Sequence, residues 1–251
     1  MKERGSRCHR GARVAGDLKA WDEFTWRDEP EPDAMRQGRV VHLPRERDQA
    51  MWTPSGGAAF CGDPAAATVI AEIAADQASA DGLSLVTALE ARLGEVLGPV
   101  SCRLDIGMYG YGLPPGLDHT RLQEVETVDP RSEGLPEFPA KVEHAFVVRR
   151  GGEIVAWATN IPHLRVDDHR LHSIGVETHP EHRRRGLGKA VAGALLDHLA
   201  ADGDAVMWVY EAHNAPSLGL ARALGFFEHL WVLNWKHAEA SAGVHSGGGS
   251  A

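Results

Sequence analysis

Apolar residues recur along the chain in two rhythms, one near 3.6 and one near 2. After Asp63-Pro64, a pair suited to capping a helix and filling its first turn, Val69, Ile70 and Ile73 stand at helical spacing. A second helix is predicted from near Ser84, with Leu85, Leu89, Leu93, Val96 and Leu97 on one face, and Gly98-Pro99 stops it. Strand-like runs follow at 101–109 and 122–128, separated by the Gly- and Pro-rich loop 110–116. The stretch 131–140 reads as another loop. Runs 144–148 and 154–159 flank Arg149-Arg150-Gly151-Gly152, the turn chemistry of a hairpin. A strand at 171–176, a helix over about 186–201, a strand at 205–210, a short helix ending at Gly225 and a strand at 226–235 complete the pattern.

The ends depart from it. Residues 1–38 carry eight basic and eight acidic residues with little periodicity, and the expectation is a flexible N-terminal extension in which Trp21, Phe24 and Trp26 form a short aromatic anchor. Met35 is an alternative natural start. Residues 237–251, closing on a Gly- and Ser-rich run, read as a disordered tail. One domain over 39–236 remains, with its core in 143–236.

Charge and cysteine content narrow the class. The chain has 26 Lys+Arg against 35 Asp+Glu, a net charge of −9, which weighs against whole-surface binding to nucleic acid. Cys8, Cys61 and Cys102 are odd in number and widely spaced, so neither a disulfide framework nor a zinc site is expected and the setting reads as cytoplasmic. No apolar run reaches the roughly 18 residues of a membrane helix, and the basic N-terminus is not followed by the apolar core of a signal peptide.

The chemistry concentrates in Leu171 to Lys189, reading LHSIGVETHPEHRRRGLGK. A strand ends near Val176, a loop crosses Pro180, and Arg183-Arg184-Arg185-Gly186-Leu187-Gly188 enters a helix with Leu187, Val191, Leu195 and Leu199 on one face. A helix N-terminus offers unpaired amides and a positive dipole end, and the glycines let an anion approach the backbone. Arg183 to Arg185 and Lys189 add charge, so the segment reads as a pyrophosphate cradle. It is neither a P-loop nor a dinucleotide fingerprint, because GxxxxGK[ST] and GxGxxG are both absent.

Arg183-x-x-Gly186-x-Gly188 between strand and helix resembles the acetyl-CoA motif of the GNAT superfamily of N-acetyltransferases, and Asn214-Ala215-Pro216-Ser217 followed by Leu224-Gly225-Phe226 is similar to that family's closing pattern. The resemblance implies a mixed, mostly antiparallel α/β sheet flanked by helices, with acetyl-CoA as the acyl-donor substrate. It implies that amides of Ile174 and Val176 pair with the pantetheine arm, that Arg184, Arg185, Gly186, Leu187, Gly188 and Lys189 hold the pyrophosphate beside Arg183, and that Asn214 and Ser217 sit near the thiol. The strands at 101–109 and 122–128 lie outside the family's basic plan.

Amine acetylation needs a base for the attacking nitrogen and an acid for the leaving thiolate. His172 shares a strand face with Ile174 and Val176, and Leu-His-Ser-Ile-Gly-Val is similar to the arylalkylamine N-acetyltransferases, which implies His172 as base. Glu177 is the competing base, and a water chain to a carboxylate is a third option. The family's tyrosine acid falls on Ala221, so the acid is sought in Tyr210, with Tyr109, Tyr111, Ser217, His213 or solvent as alternatives. His169-x-x-His172 and His179-x-x-His182 lack a cysteine partner, and no metal is expected. The acceptor expected is a small cationic primary amine, aminoglycoside-like or biosynthetic, faced by Glu124, Glu126, Glu133, Glu137, Asp167, Asp168 and Glu177. A protein N-terminus, another acyl donor (a different acyl-CoA or an aminoacyl-tRNA) and a non-catalytic CoA-binding module stay open as alternatives, as does a homodimer.

Overall fold

The computed structural model describes residues 31–43, 48–53, 58–76, 82–110, 122–131, 135, 142–166 and 169–237. In chain order the elements are α1 (Pro32–Arg36), β1 (Val40–His42), β2 (Gln49–Trp52), β3 (Ala58–Cys61), a 3-10 turn at Pro64–Ala66 running into α2 (Ala67–Asp76), α3 (Gly82–Leu97), β4 (Val100–Gly110), β5 (Glu126–Val128), β6 (Ala145–Arg150), β7 (Glu153–Val166) and β8 (His169–Thr178). A second 3-10 turn at Pro180–His182 leads to α4 (Leu187–Ala201), then β9 (Ala205–Glu211), α5 (Ala215–Ala223) and β10 (Phe227–His237).

The strands form one sheet in the order β1-β3-β2-β10-β4-β9-β8-β7-β6-β5. Only β1–β3 and β8–β9 pair in parallel; every other neighbouring pair is antiparallel. This is the mixed α/β architecture expected. One core joins a single face of the sheet to α2, α3, α4 and α5: Leu104, Ile106 and Met108 of β4 and Val206, Trp208 and Tyr210 of β9 meet Ile70, Leu89, Leu93, Val191, Leu195 and Ala221. The period-two alternation of β4 and β9 puts these residues on one face. Asp63 caps the turn before α2 as its sequence suggested, accepting from the Ala65 amide at 2.8 Å.

Three expectations change. The extension assigned to residues 1–38 is not flexible throughout: α1 buries Ala34 and Met35 against Val41, Leu43, Ala59 and Cys61 on the sheet face away from the other helices. An isolated Ala-Met pair shows no period in sequence, and only the docked strands give it a partner. The run 122–128 contributes just Glu126–Val128, because the Val125 amide turns back to the Leu122 carbonyl at 3.1 Å. Strands β1, β2 and β3 were not anticipated. β3 is buried at all four positions and reads Ala-Ala-Phe-Cys, without alternation and with two weak strand formers. The aromatic trio Trp21, Phe24 and Trp26, the tail from 238 and the loop 111–121 lie outside the described residues.

The extra strand takes a central place. β4 pairs with β10 on one side, from Phe227↔Tyr109 to His237↔Val100, and with β9 on the other, from Asp105↔Glu211 to Gly110↔Val206. Among the described residues no helix is long and apolar enough to cross a membrane.

Candidate active site

The site begins where two strands part. β8 pairs with β9 only at Leu171↔Ala205, His172↔Val206 and Ser173↔Met207, while its other edge stays paired with β7 through Thr178. Beyond Ser173 the sheet opens into a wedge walled by β8 and β9. The His179 amide donates to the Val155 carbonyl at 2.8 Å. In an antiparallel ladder the paired positions alternate, so Glu177 and Gly175 point their main-chain groups at β7, and Ile174 and Val176 point theirs into the wedge. The Thr178 carbonyl obeys the same alternation: it faces away from β7 and accepts from Arg183 Nε at 3.0 Å.

That bond folds the following loop back onto the strand and gives Arg183 a positioning duty at the loop's base. Arg184 holds φ of 59° and Gly186 φ of 79°, both in the left-handed region. Such alternation curls successive amides into an anion-binding concavity. Gly186 is the N-cap of α4 and offers no side chain, which leaves the amides of Leu187, Gly188 and Lys189 without intrahelical acceptors. Arg183, Arg184, Arg185 and Gly186 are exposed and Lys189 half-buried, whereas Leu187 is buried and anchors the first turn. A Cβ on Gly188 would lie 3.1 Å from Thr178 Oγ1 and 3.6 Å from Leu220, so the missing side chain lets α4 close on both β8 and α5.

The opposite wall carries α5. Asn214 Oδ1 accepts from the Ser217 amide at 3.1 Å, the capping bond of that helix. Trp208 Nε1 donates to Ser217 Oγ at 2.8 Å, which ties α5 to β9. Asn214 uses only its Oδ1 in that bond, whereas Ser217 Oγ is engaged by the indole. Ala221, at the position of the family's tyrosine, is fully buried in the core.

The structure buries His172 and gives both of its ring nitrogens a partner. Its side chain is 0% exposed. Asn160 Oδ1 accepts from the His144 amide at 2.8 Å, so the carboxamide Nδ2 is the group that donates to His172 Nδ1 at 3.0 Å. Nδ1 therefore carries no proton, and Nε2–H donates to Asp204 Oδ2 at 2.8 Å. Both nitrogens are occupied, at a point where β8 and β9 are still paired. Asn160 and Asp204 escaped the sequence reading because the Asn sits in a strand and the Asp in a polar turn after a helix, neither within any motif.

Glu177 is exposed, and alternation sets it on the sheet face opposite to Val176. Tyr210 is 4% exposed and donates to Glu228 Oε1 at 3.4 Å, with Arg222 on the same carboxylate at 2.8 Å. Burial, then the Glu228 charge, pushes the phenol pKa up, which keeps it protonated while its hydroxyl is turned toward β10. His213 is exposed and its Nε2 lies 3.3 Å from Glu211. Glu124 and Glu126 do not line the wedge. Glu124 precedes and Glu126 begins the edge strand β5, where Arg150 pairs with Glu124 and Arg149 with Glu126 at 3.3 Å. Glu133, Glu137, Asp167, Asp168 and Tyr111 fall outside the described residues.

Residues 117–226 match the model of the acetyltransferase (GNAT) family. Over 84 residues the chain is 34% identical to the [ribosomal protein bS18]-alanine N-acetyltransferase of Escherichia coli, covering 33% of this chain and 54% of that protein. The chain thus spans about half the length of the curated relatives it matches. Among solved structures, a putative GNAT-family acetyltransferase from Novosphingobium aromaticivorans aligns with a TM-score of 0.42 at 21% identity, covering 53% of this chain and 64% of that one. A GCN5-related N-acetyltransferase-like protein from Streptococcus suis gives 0.43 at 18%, covering 61% and 69%.

Proposed function

We propose that the protein is an acetyl-CoA-dependent N-acetyltransferase acting on a primary amine. The observation that carries this reading is the continuity of one strand: β8 directs the main chain of Ile174 and Val176 into the wedge, then leads through the left-handed Arg184 and Gly186 to the open amides of α4. A pantetheine arm adds to such an edge as a strand would, and a pyrophosphate suits the concavity. Arg184, Arg185 and Lys189 supply charge there, and the Asn214 amide faces the thiol end.

The amine nitrogen attacks the thioester carbon, forming the C–N bond. The oxyanion is held by the amide of Val176 or its neighbour. The C–S bond then breaks, the thiolate takes a proton, and the ammonium loses one. With His172 engaged on both sides, Glu177 acting through water is the base. Tyr210 is committed to Glu228, so water protonates the thiolate.

Two acceptor classes suit different observations. A small cationic amine, aminoglycoside-like or biosynthetic, suits the acidic chain of net charge −9. The α-amine of a protein N-terminus is favoured by the state of His172, because such an amine has a pKa of about 7.7–8.0 and sheds its own proton near neutrality, whereas an alkyl amine near 10.4 needs a base. The 34% identity to an enzyme that acetylates an alanine of a ribosomal protein points the same way.

The test is thiol release from acetyl-CoA against a panel of polyamines, aminoglycosides and short peptides with a free N-terminal alanine. Turnover of one class and not the other identifies the acceptor. Thiol release with none of them, while CoA still raises the melting temperature, would sink the enzyme reading.

A further inference from the structure

The closed end of the wedge is held by a buried side-chain junction rather than by strand pairing alone. β8 and β9 share only three paired positions, ending at Ser173 and Met207. Asp204, the residue immediately before β9, is 4% exposed and reaches across to β8 twice. Its Oδ1 accepts from the Arg170 amide at 3.0 Å and its Oδ2 from His172 Nε2 at 2.8 Å. His172 is bound in turn to Asn160 of β7. Arg170 Nε approaches the same carboxylate at 3.6 Å, and Glu143 holds that guanidinium from outside.

Asp204 also belongs to the turn that ends α4, where its own amide donates to the Leu199 carbonyl at 3.1 Å. The junction therefore joins three pieces: β8, β9 and the C-terminal end of α4. The cradle lies at the other end of the same 15-residue helix, about 22 Å away at 1.5 Å per residue. A small rotation at this pivot moves the cradle amides and changes the opening between β8 and β9 together.

We propose that Asp204 and His172 are positioning residues: their buried hydrogen bond sets the width of the wedge and its distance from the cradle, and so the affinity for the CoA moiety. This rests on the acetyltransferase reading of the wedge. The pair touches no reacting atom, and the His172 ring has one nitrogen accepting from Asn160 and one donating to Asp204.

Glutamine at 172 distinguishes this from a base, since its amide offers one acceptor to Asn160 and one donor to Asp204 but does not titrate. Calorimetric CoA titration and steady-state kinetics are measured for wild type, His172→Gln, His172→Leu and Asp204→Asn, each with a melting curve. The expected result is CoA binding within about twofold of wild type for His172→Gln, with an unchanged pH–rate profile. For His172→Leu and Asp204→Asn, Kd and KM for the CoA substrate rise about tenfold, with kcat changing far less. If His172→Gln binds CoA normally but loses more than about a hundredfold in kcat together with the acidic limb of its pH profile, His172 is the base and the proposal is overturned. Wild-type affinity in folded His172→Leu and Asp204→Asn overturns it too. If Leu or Asn at these positions unfolds the chain, the His172→Gln result decides alone. Absence of turnover with every amine sinks the enzymatic reading, while the order of CoA affinities still judges the junction; a wild type that does not bind CoA sinks both.

Discussion

The cradle loop contains two left-handed residues, one a glycine and one not, and substitution moves them in opposite directions. Gly186 has φ of 79° and Arg184 φ of 59°. An L side chain in that conformation costs about 1–2 kcal/mol. Gly186→Ala introduces that cost, and the reduced freedom of the unfolded chain offsets about 0.4–1 kcal/mol of it. The net is about 1 kcal/mol, which lowers Tm by about 2–4 °C in a domain of roughly 200 residues. If the loop relaxes by turning its amides, the same energy appears as about fivefold weaker CoA binding. Arg184→Gly runs the other way, relieving the backbone and raising Tm, whereas Arg184→Ala keeps the strain. Both lose the guanidinium, so both bind CoA less tightly and with a shallower salt dependence. Melting curves and CoA titrations at low and high salt read all three variants. A Gly186→Ala protein that melts at or above wild type would refute the left-handed cradle, and a Tm for Arg184→Gly below that of Arg184→Ala would refute the strain argument.

Other expectations follow from single contacts. Asn214→Ala removes the α5 cap and costs about 1 kcal/mol, whereas Asn214→Asp keeps the bond to the Ser217 amide; thermal melts of the two separate capping from ligand contact. The His144 pKa is lowered, first by burial and then by His198, whose ring lies 4.4 Å away. The folded state therefore favours neutral His144: its contribution to stability is complete above the unfolded value of about 6.5 and is lost as pH falls through the lower folded value. Tm should fall between pH 7 and 5, and less steeply in His144→Phe. Burial, reinforced by Glu90, pushes the Cys102 thiol up to about 12, so its alkylation at pH 8 should be slow in the folded protein and fast in denaturant. A fragment beginning at residue 117 lacks β4 and should be insoluble when expressed, because the edges of β9 and β10 are then bare.

Much of the site was legible because its chemistry is local. A strand, an arginine-bearing loop, two glycines and an amphipathic helix follow one another within twenty residues, and the left-handed turn into the helix is encoded in that order. Gly188 was read as letting an anion approach the backbone; the structure adds a packing reason that sequence did not show, its closeness to Thr178 and Leu220. The surroundings of His172 were not legible, and the reason is the converse of the one that made the loop readable. Alternation correctly set His172 on the face of Ile174 and Val176, but alternation carries no information on what lies opposite. Asn160 and Asp204, 12 and 32 residues away, close a hydrogen-bond link through its ring. Glu124 and Glu126 were drawn to an imagined acceptor by charge alone, while Arg149 and Arg150, on the neighbouring strand β6 but more than twenty residues away in sequence, had already claimed them.

The N-terminal half enters the site through β4. The wedge needs a wall that holds its position when β8 turns away, and β9 has lost β8 as a neighbour beyond Met207. From Val206 to Glu211 the partner is β4, which is backed by Leu89 and Leu93 of α3 and bound on its far side to β10. β4 and α3 precede residue 117, outside the segment that matches the family. The strand that looked surplus to the family plan therefore supports the half of the wedge that its own partner abandons. Asp204 and β4 divide the task between them, the first setting where β9 leaves β8 and the second the direction it then takes.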